Sequence, residues 1–219
     1  MAEKDTVIIL SGGMDSITLL YDYSERIALA VSFDYGSNHN SREIPFAQWH
    51  CQQLGIKHII LRLDFMQKYF HSSLLEGSDA IPNDDYSEDN MRSTVVPFRN
   101  GIMLAIAAGL AESNGLARVM MANHGGDHSI YPDCRSDFVE AMNSAIMSGT
   151  YDNITLVSPY TNLSKAEIAF RGHELGIDYS KTWSCYRGGI VHCGECATCR
   201  ERKKAFTDNA FDDPTEYLV

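Results

Sequence analysis

Thr6-Val7-Ile8-Ile9-Leu10-Ser11-Gly12-Gly13-Met14-Asp15-Ser16 is the stretch on which the fold turns. Its first five residues form an apolar, largely β-branched run suited to a buried strand. The run stops at Ser11-Gly12-Gly13, and apolar residues then recur at helical spacing through Ile17, Leu19, Leu20 and Tyr23. The reading is strand, tight loop, helix. Such a helix start is an anion site, because its first N–H groups and the positive end of its dipole point into the loop. Two glycines let the backbone approach a phosphate, and Ser11 and Ser16 add hydroxyl donors. The loop lacks the lysine of Gly-x-x-x-x-Gly-Lys-Ser/Thr and the spacing of Gly-x-Gly-x-x-Gly, which excludes those two phosphate motifs. The plainer alternative is a Gly-Gly turn followed by Asp15 as a helix cap.

Outward from this unit the chain alternates. Ile27 to Asp34 reads as a second strand, Glu43 to Leu54 as a helix stopped by Gly55, and Ile56 to Leu63 as a third strand. After a gap come a helix from about Phe98 to Ser113, a strand at Arg118 to Ala122, a helix from about Asp137 to Ser148 and a strand at Ile154 to Ser158. Ser164-Lys165-Ala166-Glu167 spells a capping box for a helix reaching Leu175 and closing at Gly176. The expectation is an α/β, Rossmann-like fold: five parallel strands with helices on both faces, over residues 1–180.

From about Asp64 to Thr94 the periodicity fails. Six acids (Glu76, Asp79, Asp84, Asp85, Glu88 and Asp89) fall there without a Lys or Arg between Glu76 and Asp89. This reads as an acidic insert, a lid or binding loop. The whole chain has 219 residues, 18 Lys and Arg against 29 Asp and Glu, and a net charge of -11. That field repels polyanions and disfavours a protein whose task is gripping nucleic acid. No apolar run is long enough for a membrane span and no basic-then-apolar leader opens the chain, so a cytoplasmic protein is expected.

Four of the six cysteines crowd into one segment, Cys185-x7-Cys193-x2-Cys196-x2-Cys199. Four thiolates fill a closed tetrahedral zinc site, which makes structural zinc the favoured reading. An iron–sulfur cluster is the alternative, since Cys-x2-Cys-x2-Cys is also a ferredoxin spacing, although no Cys-Pro follows. The segment 181–219 is read as a zinc-binding appendage. Between Lys181 and Phe206 it carries six basic and two acidic residues, and Arg200, Arg202, Lys203 and Lys204 would offset the thiolate charge or face a phosphate. Cys51 reads as core packing and Cys134 as a loop residue with a chance of touching substrate.

Ser-Gly-Gly-x-Asp-Ser after the first strand resembles the pyrophosphate loop of the PP-loop ATPases, which cleave ATP to AMP and pyrophosphate. Over nearly the whole chain the sequence resembles the 7-cyano-7-deazaguanine synthase family (QueC). The resemblance is carried by that loop and the four cysteines. Phe33-Asp34-Tyr35-Gly36 with His39, Val96-Pro97-Phe98-Arg99-Asn100, Tyr131-Pro132-Asp133-Cys134-Arg135 and Thr182-Trp183-Ser184-Cys185-Tyr186 complete it. It implies an ATP-dependent ligase that converts 7-carboxy-7-deazaguanine and ammonium to the nitrile through an adenylated carboxylate and an adenylated amide, in queuosine biosynthesis. It implies ATP with magnesium, zinc on the four cysteines, ammonium from free solution and a homodimer, with no nucleic acid or membrane partner.

By the same resemblance, Leu10 to Leu20 would bind ATP: Leu10, Ser11, Gly12, Gly13, Met14, Asp15, Ser16, Ile17, Thr18, Leu19 and Leu20. Asp15, Ser16, Arg99 and Lys165 are the expected catalytic residues. Tyr35, Asp127, Ser129, Tyr131, Asp133 and Arg135 are the expected contacts to the deazaguanine, with an aspartate accepting from ring N–H groups and a tyrosine stacking on the ring. The chain departs from the family pattern at Ser37-Asn38, at Phe98 where Gly is common, and at Gly125-Gly126. These departures touch the pocket rather than adenylation. His124 and His128 are four apart, but the glycines between them break the helix a metal pair would need.

Two other readings compete. One is a PP-loop tRNA-modifying enzyme with an iron–sulfur cluster on the same cysteines; the other is a non-catalytic, zinc-stapled nucleotide-binding module.

Overall fold

Five parallel strands, β1 (Thr6–Ile9), β2 (Ile27–Asp34), β3 (Lys57–Arg62), β4 (Arg118–Met120) and β5 (Thr155–Val157), pair in the order β3-β2-β1-β4-β5. The structure, a computed structural model, describes residues 4–78, 81, 92–125 and 131–219. Seven helices are seen among those residues: α1 (Met14–Asp22), α2 (Asn40–Leu54), α3 (Asp64–Tyr69), α4 (Arg99–Ser113), α5 (Ser136–Gly149), α6 (Lys165–Glu174) and α7 (Ala197–Asp208).

The pleat explains why the central strand β1 and most of β2 are apolar. Val7 pairs with Leu29 and Val119, while Ile8 pairs with Ala30 and Met120. Val7, Leu29 and Val119 pack with Leu104 and Ala107 of α4 and Ile146 of α5. Ile8 and Ala30 point the other way, into a second core with Ile17 of α1, Ala47 of α2, Ile168 of α6 and Phe206 of α7. With both faces covered, the central strands β1 and β4 have no outward face, whereas the edge strand β3 exposes Lys57, Ile60 and Arg62. Each fully buried aliphatic side chain contributes about 1.5–3 kcal/mol. Trp183 and the four cysteines form a third, separate cluster.

The strand order reverses at β1, whose neighbours are β2 on one side and β4 on the other. Open α/β sheets bind ligands at the carboxyl ends of the strands beside such a switch point. The loop 11–13 after β1 and the segment 121–125 after β4 meet there.

The expected five-stranded, doubly covered sheet is present. Gly55 ends α2 in the left-handed conformation at φ 62°, and the Ser164–Glu167 capping box opens α6 with both reciprocal bonds. Three details differ from expectation. β4 and β5 are three residues each. α2 begins at Asn40 rather than Glu43, because Asn40 through Arg42 are polar and give no apolar period although their backbone is helical. Inside the stretch expected to be irregular, α3 forms over Asp64–Tyr69 with Met66 buried as its anchor. Residues 79–80 and 82–91 of the acidic insert lie outside the described residues. No helix among the described residues is long and apolar enough to cross a membrane.

Candidate active site

The loop after β1 is held from two sides. Gly12 has φ 103°, and a Cβ on it would lie 2.0 Å from the carbonyl oxygen of Glu43 in α2, so glycine is required there by both conformation and space. From the other side, the Trp183 N–H donates to Gly12 O at 3.1 Å. Within the loop, Ser16 Oγ accepts from the amides of Ser11 and Gly12 at 3.3 Å each, and Ser11 Oγ accepts from Gly13 N at 3.1 Å. The two serines therefore stand at the amides an anion would use.

Leu10, Ser11, Gly13, Met14, Asp15 and Ser16 line a cavity above the switch point. Ile17, Leu19 and Leu20 are buried in the second core, where they seat α1. Thr18 Oγ1 bonds Met14 O at 2.8 Å and Tyr179 Oη at 2.7 Å, and is likewise turned inward. Gly12 shapes the loop from behind.

Lys165, first residue of α6, reaches across to α1: its Nζ donates to Asp15 Oδ2 at 2.5 Å and lies 3.7 Å from Glu201 of α7. His124, after β4, completes the group with Nε2 3.9 Å from Asp15 and 4.0 Å from Glu201. Burial pushes the Asp15 carboxyl up, but Lys165 and His124 outweigh it and leave the group below its ordinary range. Asp15 Oδ1 is buried with no hydrogen-bond partner among the described residues.

On the opposite wall, Arg99 opens α4 and its Nη1 donates to Tyr35 Oη at 3.2 Å. Burial works against the Arg99 charge, yet Tyr35 and Asp133 hold it firmly protonated. Asp133 Oδ2 accepts from Asn100 N at 2.9 Å, so it caps α4 while it lines the cavity. Tyr131 Oη bonds Thr94 Oγ1 at 3.2 Å and Tyr186 Oη at 3.1 Å. Asn123 and Cys134 also line this wall. Arg135 is exposed at the N-cap of α5 and is not among the described lining residues. Asp127 and Ser129 lie outside the described residues, as does His128.

Phe98, the departure from Gly, adopts φ 52° at the N-cap of α4, a conformation that favours glycine. Its ring packs edge-on against Phe138, 5.9 Å between centroids, and covers Gly101, where a Cβ would come within 2.4 Å of it. The ring is therefore directed along α4 onto α5.

Residues outside the expected set also line the cavity. Glu43 and His39 come from α2 and its N-cap, and Thr198 and Glu201 come from α7. The His39-x3-Glu43 spacing on one helix face was the available signal for the first pair.

The four cysteines are buried, with sulfurs all within 4.8 Å of one another, a set that could hold a metal ion. Cys185 Sγ accepts from Cys193 N at 3.4 Å and Cys193 Sγ from Cys196 N at 3.3 Å. His192 is turned away from this role: its Nε2 accepts from Ser184 N at 3.0 Å and its ring lies on Trp183. Cys199 lies in α7, so the cluster also fixes the helix that brings Glu201 to the cavity. Of the basic residues nearby, Arg202 is fully buried and donates to Thr182 Oγ1 at 2.7 Å, Tyr179 O at 2.9 Å and Asp213 Oδ1 at 3.3 Å. Lys203 donates to Val219 O at 2.8 Å and Lys204 to Asp208 at 2.5 Å. Arg202 and Lys203 bind the tail together and Lys204 pairs within α7, and none of the three is among the described residues lining the cavity.

The chain is similar to known proteins over almost its whole length. The chain is 57% identical over 215 residues to a 7-cyano-7-deazaguanine synthase of Porphyromonas gingivalis, covering 98% of each. It is 49% identical over 217 residues to the protein of that name from Desulfotalea psychrophila, covering 98% of this chain and 99% of the relative. Among solved structures, an NMN synthetase from Francisella tularensis superposes with a TM-score of 0.54 at 12% identity, covering 97% of this chain and 79% of that one, which shows a shared fold. The family model for queuosine biosynthesis protein QueC matches residues 5–210, and the chain belongs to that family.

Proposed function

We propose that the protein is a 7-cyano-7-deazaguanine synthase that uses ATP to turn 7-carboxy-7-deazaguanine and ammonium into the nitrile. The observation that carries this reading is the shared cavity. A phosphate loop with Lys165 and Asp15 stands on one wall, and Arg99, Tyr35, Tyr131 and Asp133 stand on the other. A carboxylate is a poor electrophile until one of its oxygens becomes a leaving group, and a site holding phosphates opposite a cation and aromatic hydroxyls can bring that about.

In this reading Ser11, Gly13 and Ser16 hold the pyrophosphate, and Lys165 neutralises charge that builds as the α–β bond breaks. Arg99, fixed by Tyr35, binds the substrate carboxylate, and Asp133 and Tyr131 face the ring. Asp127, Ser129 and Arg135 are proposed as further ring contacts from the same loop. The carboxylate oxygen attacks the α-phosphorus and pyrophosphate leaves. Ammonia then displaces AMP to give the amide, and a second ATP activates the amide oxygen so that loss of AMP leaves the nitrile. Asp15 Oδ1, a buried oxygen without a partner, fits a magnesium ion arriving with ATP, which would screen the phosphates.

Zinc suits the cysteine set. The Cys193 and Cys199 sulfurs are 3.9 Å apart. Zinc–sulfur bonds of about 2.3 Å place tetrahedral sulfurs about 3.8 Å apart. A two-iron or four-iron cluster would divide the four sulfurs among separate irons and spread the set further. Four thiolates fill the tetrahedral shell and leave no position for substrate, so in this reading its role is structural.

Exchange of labelled pyrophosphate into ATP tests the first step. Exchange that requires 7-carboxy-7-deazaguanine but no ammonium is the expected result; exchange absent, or indifferent to that acid, overturns the reading.

A further inference from the structure

Glu43 places a carboxylate where a simple ATP site would not have one. Its side chain is 13% exposed, and its Oε1 is 3.5 Å from where a Cβ on Gly13 would lie, so it abuts the phosphate loop itself. No Lys or Arg stands within ion-pair distance of it among the described residues; the nearest ionisable partner is His39, with Nε2 3.9 Å away. Burial and the charge of Arg99 push that imidazole down to about 4, so His39 is neutral and supplies no counter-charge. His39 Nδ1 is buried with no hydrogen-bond partner among the described residues. A bare carboxylate beside incoming phosphates is repulsive unless a cation comes with the chemistry.

The proposed reaction brings such a cation. Resting on that reading, we propose that Glu43, with neutral His39 beside it, binds the ammonium ion against the acyl adenylate and acts as its general base. One proton passes from ammonium to the Glu43 carboxylate, and the nitrogen lone pair forms the C–N bond to the acyl carbon. The C–O bond to AMP breaks with its electron pair, AMP leaves as the anion, and the extra proton on nitrogen goes to water. Neutral His39 can accept an N–H without repelling the cation, which a protonated imidazole would do.

The electrostatics match the task. Burial pushes the Glu43 carboxyl up to about 8, against the pull of Arg99 and with Asp15 adding to the rise. Alone, the group therefore rests mostly protonated at neutral pH; an arriving cation favours its ionised form, and that form is a stronger base toward ammonium than an ordinary carboxylate. The titratable groups around it come from α1 (Asp15, charged), α4 (Arg99, charged) and the N-cap of α2 (His39, neutral).

The test uses the intact zinc-loaded protein with two nucleophiles, ammonium and hydroxylamine, the latter neutral at pH 7 and needing no base to free its lone pair. Glu43→Gln is expected to lose about 100-fold in kcat/KM for ammonium, while its loss in hydroxamate formation is about tenfold smaller. Equal losses with both nucleophiles, or an unchanged ammonium dependence, overturn the proposal. If Glu43→Gln fails to fold, Glu43→Asp replaces it and is expected to show the same inequality. Pyrophosphate exchange by the unaltered protein separates the two claims: without carboxylate-dependent exchange the synthase reading falls and takes this one with it, whereas with exchange the nucleophile comparison judges Glu43 alone.

Discussion

Lys165 Nζ lies 2.5 Å from Asp15 Oδ2, joining the first residue of α6 to the second residue of α1 across 150 positions of chain. The pair closes one end of the cavity and sets a cation beside the phosphate loop. Lys165→Met removes that cation and leaves the buried Asp15 carboxylate with only His124 close to it among the described residues. A loss of about 100-fold or more in AMP formation is expected, the scale seen when a donor to developing charge is deleted. Steady-state release of AMP measures it.

The same pair has a pH signature. Asp15 is held below its ordinary value of 3.8, so its contribution to stability is fully present above that value and is lost as pH falls through the depressed one. In Lys165→Met, burial dominates and this acid-side loss shrinks or reverses. Melting temperature followed from neutral to acid pH, for both proteins, shows the difference.

Glu43 carries the opposite sign. Its unfolded value is near 4.5 and its folded value about 8. The folded form therefore loses stability as pH rises between those values, since the unfolded chain releases the proton first. Glu43→Gln is expected to melt higher than the unaltered protein at pH 8, with the gap closing toward pH 4.5. A gap independent of pH would contradict this.

Arg202 has no solvent exposure and joins Thr182, Tyr179 and Asp213. Arg202→Met leaves these groups buried without their donor, and a destabilisation of about 3–5 kcal/mol is expected in a denaturant titration.

Metal removal should act at a distance. The cysteines fix α7, and Trp183 between them and the loop donates to Gly12 O at 3.1 Å. Cys193→Ser, or stripping with a chelator, is expected to remove a single zinc from each chain and to weaken ATP binding as the loop loses that support. Elemental analysis and ATP titration check both parts; iron with visible absorption would contradict the zinc assignment.

Much of this was legible in the sequence because it is written in local patterns. The run Thr6 to Leu10, the Gly12-Gly13 loop and the Ser164 capping box each declare their structure within a few residues. So does the cysteine spacing. The acids beside the phosphate loop are different: Glu43 and Glu201 reach the cavity from α2 and α7, and apart from the His39-x3-Glu43 spacing nothing in their own neighbourhoods distinguishes them from solvent-facing acids. Their convergence depends on helix packing over the switch point. Phe98 shows the reverse case, where an apparent departure from the family is a backbone matter: at φ 52° glycine is the relaxed choice, and here an aromatic ring packed on Phe138 takes its place.

The central claim is that one cavity activates a carboxylate with ATP and carries it to a nitrile. The most direct measurement is to incubate the protein with magnesium-ATP, ammonium and 7-carboxy-7-deazaguanine, follow the heterocycle by mass spectrometry and count AMP. Nitrile accompanied by about two AMP for each molecule formed is the expected result, one for each oxygen removed. Folded, zinc-loaded protein that releases neither AMP nor nitrile would contradict the account.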